Sequence, residues 1–273
     1  MIKFEHSIFA LPFAYLGMIL ARRGWPGFEI FLLITLAMIS FRTMAMAANR
    51  LIDAPIDALN PRTASRAIPS GLFNKSTVLV LIVIDLIIFE LVCWKMNSLC
   101  LILSPLPVAF ALLYPYLKRV TVLCHFLLGL ILGIAPYGAW LAVKPEFSWT
   151  PAYLTLGVLF WTAGFDIIYA LLDMDFDRAR QLYSIPAKMG EAAAKVIARG
   201  LHVVSLLFWV MAGLSAALNW IYFAGVFVAA ILMIREHWLV RQSVDFGKVN
   251  AAFFTLNAGI SIILFFSSLG GLL

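Results

Sequence analysis

The sequence predicts an all-α membrane protein, a single bundle of about nine transmembrane helices around a central cavity, with the N-terminus in the cytoplasm. Of the 273 residues, 63% are hydrophobic and only 12% are charged, and the mean hydropathy is +0.98. A soluble domain is usually about half apolar and about a quarter charged. The excess of apolar residues therefore indicates a polytopic membrane protein, and we expect residues 1–273 to form one domain.

Nine apolar runs define the expected helices. A helix needs about 20 apolar residues to cross a bilayer, with a range of about 17 to 25. The first and eighth runs are shorter than that, so we expect tilt or burial among neighbouring helices to accommodate them. The runs are 8–21, 28–48, 77–94, 98–117, 122–143, 153–172, 197–218, 220–234 and 250–269.

The basic residues predict the orientation of the bundle. Fifteen of the 20 Lys and Arg residues lie at the N-terminus or in loops after even-numbered helices, four lie on the opposite side, and Arg42 is within a helix. Cytoplasmic loops carry the excess of Lys and Arg. We therefore expect the two long loops, residues 50–76 and 173–196, to face the cytoplasm from a bacterial inner membrane. The net charge of +6 then suits the lipid bilayer surface and not nucleic acid.

A first polar cluster ends the second apolar run. Asn49, Asp53 and Asp57 are spaced by four residues, so on a helix they share one face. Arg42 lies two turns before Asn49 on the same face. Pro55 lacks an amide proton and clashes with the preceding turn, so we expect a kink or break there.

A second polar cluster ends the sixth run. Asp166, Tyr169, Asp173 and Asp177 are separated by three, four and four residues and form a similar stripe, from which Asp175 is offset. Asp166 lies inside the apolar run, where an ionised carboxylate is costly unless it faces a partner or a water-filled cavity. One such cluster would equally suit a solvated collar of acids, but two alike at equivalent helix ends favour a shared site.

The chemistry of these clusters points to a metal ion and a phosphate. Aspartates gathered in one site repel one another, and a divalent cation relieves the repulsion. All-oxygen ligands suit Mg²⁺ better than zinc, and Mg²⁺ usually completes its shell with water and substrate phosphates. Nearby cations would neutralise the remaining substrate charge; they are Arg50, Arg62, Arg66, Lys118 and Arg119.

The segments "NRLIDAPID" and "DIIYALLDMDFD" resemble the two aspartate-rich motifs of the UbiA superfamily of intramembrane prenyltransferases, NxxxDxxxD and DxxYxxxDxxxD. "RTASRAIPSG" resembles the segment after the first motif, and "LLYPYLKR" at residues 112–119 resembles the Tyr-Pro…Lys-Arg segment after the fourth helix. The resemblance spans most of the chain up to Gly190, and the last three helices carry little signature.

The resemblance implies transfer of a polyprenyl group from its diphosphate to an aromatic ring. Mg²⁺ on the diphosphate stabilises the leaving group, so that the allylic carbon–oxygen bond ionises toward a carbocation. An electron-rich phenol ring then attacks beside its hydroxyl and loses a proton. By this resemblance Asn49, Asp53 and Asp57 hold one Mg²⁺, and Asp173 and Asp177 hold the other.

The resemblance also implies roles for residues around the metals. Asp166 orients a ligand, the ring or a nearby base, and Tyr169 lies near the carbocation or hydrogen-bonds the phosphate. Arg42 is the expected anchor for the carboxylate of an aromatic acid, with Asp166 or Glu5 as alternative partners. The cations expected on the diphosphate are Arg62, Arg66, Lys118 and Arg119, the last two alternatively on an acceptor carboxylate.

The branch within the superfamily is left open between several readings. Arg50 stands where many members have aspartate. In this feature the chain resembles a 4-hydroxybenzoate polyprenyltransferase-like sub-branch in ubiquinone or menaquinone biosynthesis. Some of that sub-branch belong to the futalosine route, where the acceptor is 1,4-dihydroxy-6-naphthoate; other branches farnesylate haem or make lipid ethers. A secondary transporter is the alternative from another class, but transporters place ionisable residues near the membrane midplane, whereas these acids cluster at helix ends.

The cysteines and histidines show no metal-ligand spacing. We expect the three cysteines to be buried small apolar residues. We expect the histidines to be interfacial or core residues and not catalysts. The residues concerned are Cys93, Cys100, Cys124, His6, His125, His202 and His237.

Overall fold

The structure, a computed structural model, describes residues 7–241, 247, 249 and 252–273. A 3₁₀ turn, Leu171–Asp173, joins α7 to α8, and a π-helix, Ala252–Leu256, leads into α12. Lys3, Glu5, His6 and Lys248 lie outside the described residues. The α-helices are α1 Ser7–Arg22, α2 Phe28–Asp57, α3 Lys75–Met96, α4 Ser98–Leu103, α5 Pro105–Leu117, α6 Cys124–Val143, α7 Trp149–Ala170, α8 Met174–Ala179, α9 Ile185–Met189, α10 Glu191–Ser215, α11 Trp220–Leu239 and α12 Asn257–Gly271.

The described residues contain eight helical segments long and apolar enough to cross a membrane, with α4 and α5 forming one of them. The shorter α1 accounts for the first of the nine apolar runs. The all-α membrane fold is thus confirmed. The eighth run was underestimated, because α11 continues through the charged positions after residue 234 to a length of 20 residues. Glu236, one of these charged positions, is fully buried within the bundle.

Of the kink or break expected at Pro55, the break is wrong. α2 continues through Pro55 to Asp57. The proline stands two residues before the end of the helix, so its missing N–H leaves only the carbonyl of Leu51 without its usual donor. As a result the first long loop begins at residue 58 and not at residue 50.

The second predicted loop, 173–196, is largely helical. It contains α8 and α9, and α10 already begins at Glu191, whose carboxylate in the first turn suits the positive end of the helix dipole. Ser184 caps α9 by accepting a hydrogen bond from the N–H of Ala187 at 3.3 Å, and Pro186 occupies its first turn. These short helices hold the segment against the end of α7.

Small residues let the backbones around α7 approach closely. A Cβ atom on Gly129 of α6 would overlap the backbone of Leu159, and the indole of Trp209 occupies the space beside Gly157. Membrane helices pack most closely where glycines remove the side chain between backbones. α7 is consequently the most enclosed of the spans, held between α6 and α10.

An aromatic cluster fixes one face of α7. The Trp161 ring centroid lies 5.3 Å from that of Phe13 on α1 and 6.0 Å from that of Trp209 on α10, and all three side chains are fully buried. Aromatic pairs at such distances add to the burial energy of each ring. With that face immobilised, α7 presents Thr155 and Thr162 to a central cavity.

Candidate active site

Two cavities meet inside the bundle. The larger, of about 680 Å³, has an almost entirely apolar wall from α2 to α7 that includes Phe41, Phe89 and Leu132. The smaller, of about 200 Å³, lies at the ends of α2 and α7 and is lined by both polar clusters. Three residues line both cavities and so mark their junction: Asn49, Arg66 and Tyr114.

Asp53 is the most buried carboxylate of the polar cavity, with 1% of its surface exposed. Its Oδ2 accepts hydrogen bonds from the Lys118 ammonium and, at 3.4 Å, from the Asn49 amide. The Arg119 guanidinium lies 3.5 Å from Oδ1, which is buried and makes no hydrogen bond. The segment around residue 118 therefore contacts the first motif, so that both line one site.

Asp57 is one turn further along α2 and is also buried. One nitrogen of Arg66 donates to both of its carboxylate oxygens, at 2.8 and 2.7 Å. The Thr63 hydroxyl donates to the backbone carbonyl of Asp57 at 3.0 Å. The loop after α2 therefore folds back over the helix end that it has just left.

Asp173 receives the cation from the same loop. Arg62 donates from Nε to Oδ1 at 2.8 Å and from a terminal nitrogen to Oδ2, and Asn60 donates to Oδ1 at 3.0 Å. Arg62 also donates to the Tyr169 hydroxyl at 3.0 Å. Burial disfavours the charged form of Arg62, but its hydrogen bonds to Asp173 and the negative charge there outweigh this and raise the pKa of the guanidinium.

Asp177 lies on α8, one turn beyond the 3₁₀ turn, and also lines the polar cavity. Its Oδ2 accepts a hydrogen bond from the Ser184 hydroxyl at 2.8 Å. The intervening Asp175 is exposed, in agreement with its predicted offset from the stripe. The second motif thus directs Asp173 and Asp177 to the cavity, although the helix expected to carry them is interrupted.

Asp166 is paired with His125 and not with Arg42. The His125 Nδ1 atom lies 2.6 Å from Asp166 Oδ2, and the ring is 2% exposed. His125 is buried, as expected for a core histidine, but it also contacts a predicted site residue. Both residues line the polar cavity next to Tyr114.

The donor set suits Mg²⁺ by type. The polar cavity gathers carboxylate and amide oxygens, the ligands Mg²⁺ prefers, and the buried Asp53 Oδ1 has no hydrogen bond. Within the described part of the chain, however, no three His, Cys, Asp or Glu side chains lie close enough together to hold a metal. Lys and Arg side chains pair with Asp53, Asp57 and Asp173 instead.

Arg42 lies in the wall of the apolar cavity. Its Nε is buried without a hydrogen bond, and no ion pair joins it to another described residue. The alternative pairing with Asp166 is wrong because His125 takes that carboxylate, and Glu5 lies outside the described residues. A guanidinium inside a membrane bundle is costly without an anion, which leaves it open to a ligand.

The model of the UbiA prenyltransferase family matches residues 10–263. The chain belongs to this family. It is 30% identical to a 4-hydroxybenzoate octaprenyltransferase of Aliivibrio fischeri over 82% of this chain and 79% of that protein. The apo structure of a UbiA homologue from Aeropyrum pernix K1 covers 98% of both chains at 31% identity, with a TM-score of 0.88.

A more distant UbiA structure supports the fold. The homologue from Archaeoglobus fulgidus bound to DMAPP and Mg²⁺ covers 97% of this chain and 95% of its own, with a TM-score of 0.71 at 15% identity. Membership of the UbiA prenyltransferase family makes this chain a membrane-embedded prenyltransferase.

Several cavity residues of this UbiA member were not predicted as site residues, among them Asn60, Tyr114, His125 and Ser184. Tyr114 lies inside a segment already quoted for its resemblance, and Asn60 lies between two such segments, so their polar side chains were the available signal. His125 and Ser184 carry no local signal, because their partners are 41 and 7 residues away and the contacts arise only from helix packing. The contacts are Asn60–Asp173, His125–Asp166 and Ser184–Asp177, and Tyr114 lies at the cavity junction.

Proposed function

We propose that this chain transfers a polyprenyl group from polyprenyl diphosphate to the ring of an aromatic acid of the 4-hydroxybenzoate type, in ubiquinone or menaquinone biosynthesis. The observation that carries the proposal is the junction of a large apolar cavity with a small cavity of carboxylates and cations. A polyprenyl diphosphate has the same division into an apolar tail and a charged head. The volume of about 680 Å³ lies within the range of ligand sites, about 300–1,000 Å³.

The polar cavity suits a diphosphate with Mg²⁺. When bound, Mg²⁺ would stabilise the charge that develops on the departing diphosphate. The residues that would hold it are Asn49, Asp53, Asp57, Asp173 and Asp177, all of which line this cavity. The Archaeoglobus homologue bound to DMAPP and Mg²⁺, and another bound to GPP and Mg²⁺, support this assignment by analogy.

The cations at the polar cavity already contact carboxylates. Each one now pairs with a carboxylate; with Mg²⁺ and a diphosphate bound, the carboxylates would be ligands of the metal and these cations would donate to phosphate oxygens. This exchange of partners keeps every charge in the buried site compensated. The residues concerned are Arg62, Arg66, Lys118 and Arg119.

Arg42 is the proposed anchor for the carboxylate of the acceptor. It precedes Asn49 by two helical turns, about 10.5 Å along α2. An acid held at Arg42 therefore directs its opposite end, which carries the hydroxyl in 4-hydroxybenzoate, toward the cavity junction at Asn49 and Tyr114. The Aliivibrio relative named 4-hydroxybenzoate octaprenyltransferase supports an acceptor of this type.

Asp166 is the proposed proton acceptor. The bond between the prenyl C1 and the diphosphate oxygen breaks with its electron pair on the diphosphate, and the ring carbon beside the hydroxyl forms a bond to C1. The C–H bond at that ring carbon then breaks, its electron pair restores the aromatic ring, and the proton passes to the Asp166 carboxylate. The side chain is 17% exposed, so the proton leaves to solvent. Tyr169 lies one turn away in the same cavity, close enough to act on the developing carbocation or the phosphate once Arg62, now over its ring, pairs with the diphosphate.

The active site is proposed to face the cytoplasm from the inner membrane, as the Lys and Arg distribution predicts. A direct test supplies purified protein with one polyprenyl diphosphate, Mg²⁺ and either 4-hydroxybenzoate or 1,4-dihydroxy-6-naphthoate, and identifies products by mass. We expect a Mg²⁺-dependent product whose mass equals 4-hydroxybenzoate plus the prenyl group less one hydrogen. A product with the naphthoate alone would reassign the acceptor, and no product with either would reject the proposal.

A further inference from the structure

His125 and Asp166 form a pair at the edge of the polar cavity. His125 stands in the first turn of α6 and Asp166 in the last two turns of α7, and their contact joins atoms 2.6 Å apart. The histidine is 2% exposed, whereas the carboxylate side chain is 17% exposed. The carboxylate is therefore the member that a substrate reaches, and the histidine stands behind it.

The other ring nitrogen of His125 determines where the imidazole carries its proton. The backbone N–H of Ile185 donates to His125 Nε2 at 3.2 Å. An atom that accepts a hydrogen bond from an amide presents its lone pair, so in the neutral ring the proton is on Nδ1. Nδ1 therefore donates to Asp166 Oδ2 and fixes the orientation of the carboxylate.

We infer that His125 is a positioning residue for Asp166, orienting its carboxylate so that the free Oδ1 accepts the proton lost by the aromatic ring. The inference rests on the proposed function. Among the described residues Asp166 makes its hydrogen bond through Oδ2 alone, which leaves Oδ1 without one. His125 does not itself take the proton, because the Ile185 amide occupies its only basic nitrogen.

A purely structural role for His125 is the competing explanation, since it also anchors the segment before α9. That segment has two further attachments. The N–H of Tyr183 donates to the Lys118 carbonyl at 2.7 Å, and the Cys124 thiol donates to the Tyr183 carbonyl at 3.3 Å. Loss of the Ile185 contact alone therefore leaves the segment attached.

A matched pair of variants separates the two roles. His125→Asn keeps a donor at the position of Nδ1, whereas His125→Leu has none, and both lose the acceptor for Ile185. We expect kcat to fall at least ~30-fold in the leucine variant and to stay within ~5-fold of wild type in the asparagine variant, since supporting residues of a reactive group contribute about 10- to 100-fold. The KM values for both substrates should change by less than ~2-fold in each variant. Hydrogen–deuterium exchange at the Ile185 amide should rise equally in both.

Several results would overturn the inference. One is a wild-type kcat in the leucine variant, and another is an asparagine variant as slow as the leucine variant. A third is a rise in KM for the diphosphate, which a displaced Ser184–Asp177 contact would produce. If the leucine variant does not fold, His125→Ala replaces it with the same expected split.

A double-mutant cycle tests whether His125 acts through Asp166. Asp166→Asn and Asp166→Asn/His125→Leu should have kcat values within ~2-fold of each other, because the histidine has no carboxylate left to position. Additive losses would overturn the inference. A wild-type enzyme that prenylates neither acceptor would reject the proposed function and this inference with it, whereas an active wild type with an unaffected His125→Leu rejects the inference alone.

Discussion

Arg62 binds both carboxylate oxygens of Asp173, across 111 positions of sequence. The pair closes the loop after α2 onto the end of α7, and the same guanidinium reaches the Tyr169 hydroxyl. Arg62 thus connects the loop that follows the first aspartate-rich motif to the second motif. The same arrangement recurs at Asp57 with Arg66 and at Asp53 with Lys118.

These ion pairs predict that Mg²⁺ and diphosphate bind cooperatively. Mg²⁺ alone must displace a cation that then has no anion, whereas a diphosphate accepts the displaced cations. We expect inorganic diphosphate to raise the affinity for Mg²⁺ by at least ~10-fold, a coupling typical of linked sites. Isothermal titration calorimetry of the purified protein measures it, and equal Mg²⁺ affinities with and without diphosphate would contradict the exchange.

The cavity carboxylates should be essential, and a neighbouring one should not. Asp53→Ala or Asp173→Ala removes an oxygen donor and leaves a cation without its partner, so we expect prenyl transfer to fall by ~10³-fold or more while the protein still inserts in membranes. Asp175→Ala is the matched control, because Asp175 is exposed and lies two residues from both Asp173 and Asp177. Its activity should stay within ~2-fold of wild type. Turnover in either cavity variant near that of the control would reject the metal assignment.

The helices of this fold could be predicted from the sequence because a membrane-spanning helix requires a long run of apolar residues. The sequence also predicted which acids share a face, since a spacing of three or four residues keeps Asp53 beside Asp57 on α2. The break expected at Pro55 did not occur because the cost of a proline depends on its position in the helix. Only two residues of α2 follow Pro55.

Which cation pairs with which carboxylate could not be predicted from the sequence. Arg62 was expected on a phosphate, and its partner Asp173 becomes available only once the loop after α2 packs on α7. His125 was expected to be an interfacial or core residue because the histidines show no metal-ligand spacing. Its contact with Asp166 depends on the register of α6 against α7, which the close approach of Gly129 to Leu159 establishes.

That register can be tested through stability. Gly129→Ala places a Cβ against the Leu159 backbone, which has no side-chain freedom to relax. We expect it to destabilise the protein by about 1–3 kcal/mol, the usual cost of overpacking. Gly138→Ala, in the same helix, has open space at the Cβ position and should be neutral or stabilising by up to about 1 kcal/mol. Thermal unfolding in detergent compares the two; a similar midpoint for both would contradict the packing described for α6 and α7.

Arg42 provides the sharpest test of the acceptor. With Arg42→Ala we expect KM for 4-hydroxybenzoate to rise ~10- to 100-fold and KM for the polyprenyl diphosphate to change less than ~3-fold, because a charge-assisted contact to one substrate is lost. 4-Hydroxybenzamide supplies a matched control, since it keeps the ring and the hydroxyl but has no carboxylate. The wild type should prefer the acid strongly over the amide, and the variant should lose that preference. Equal rises of KM for both substrates, or an unchanged preference for the acid, would reject the anchor, because only a guanidinium that contacts the carboxylate can distinguish the two acceptors by their charge.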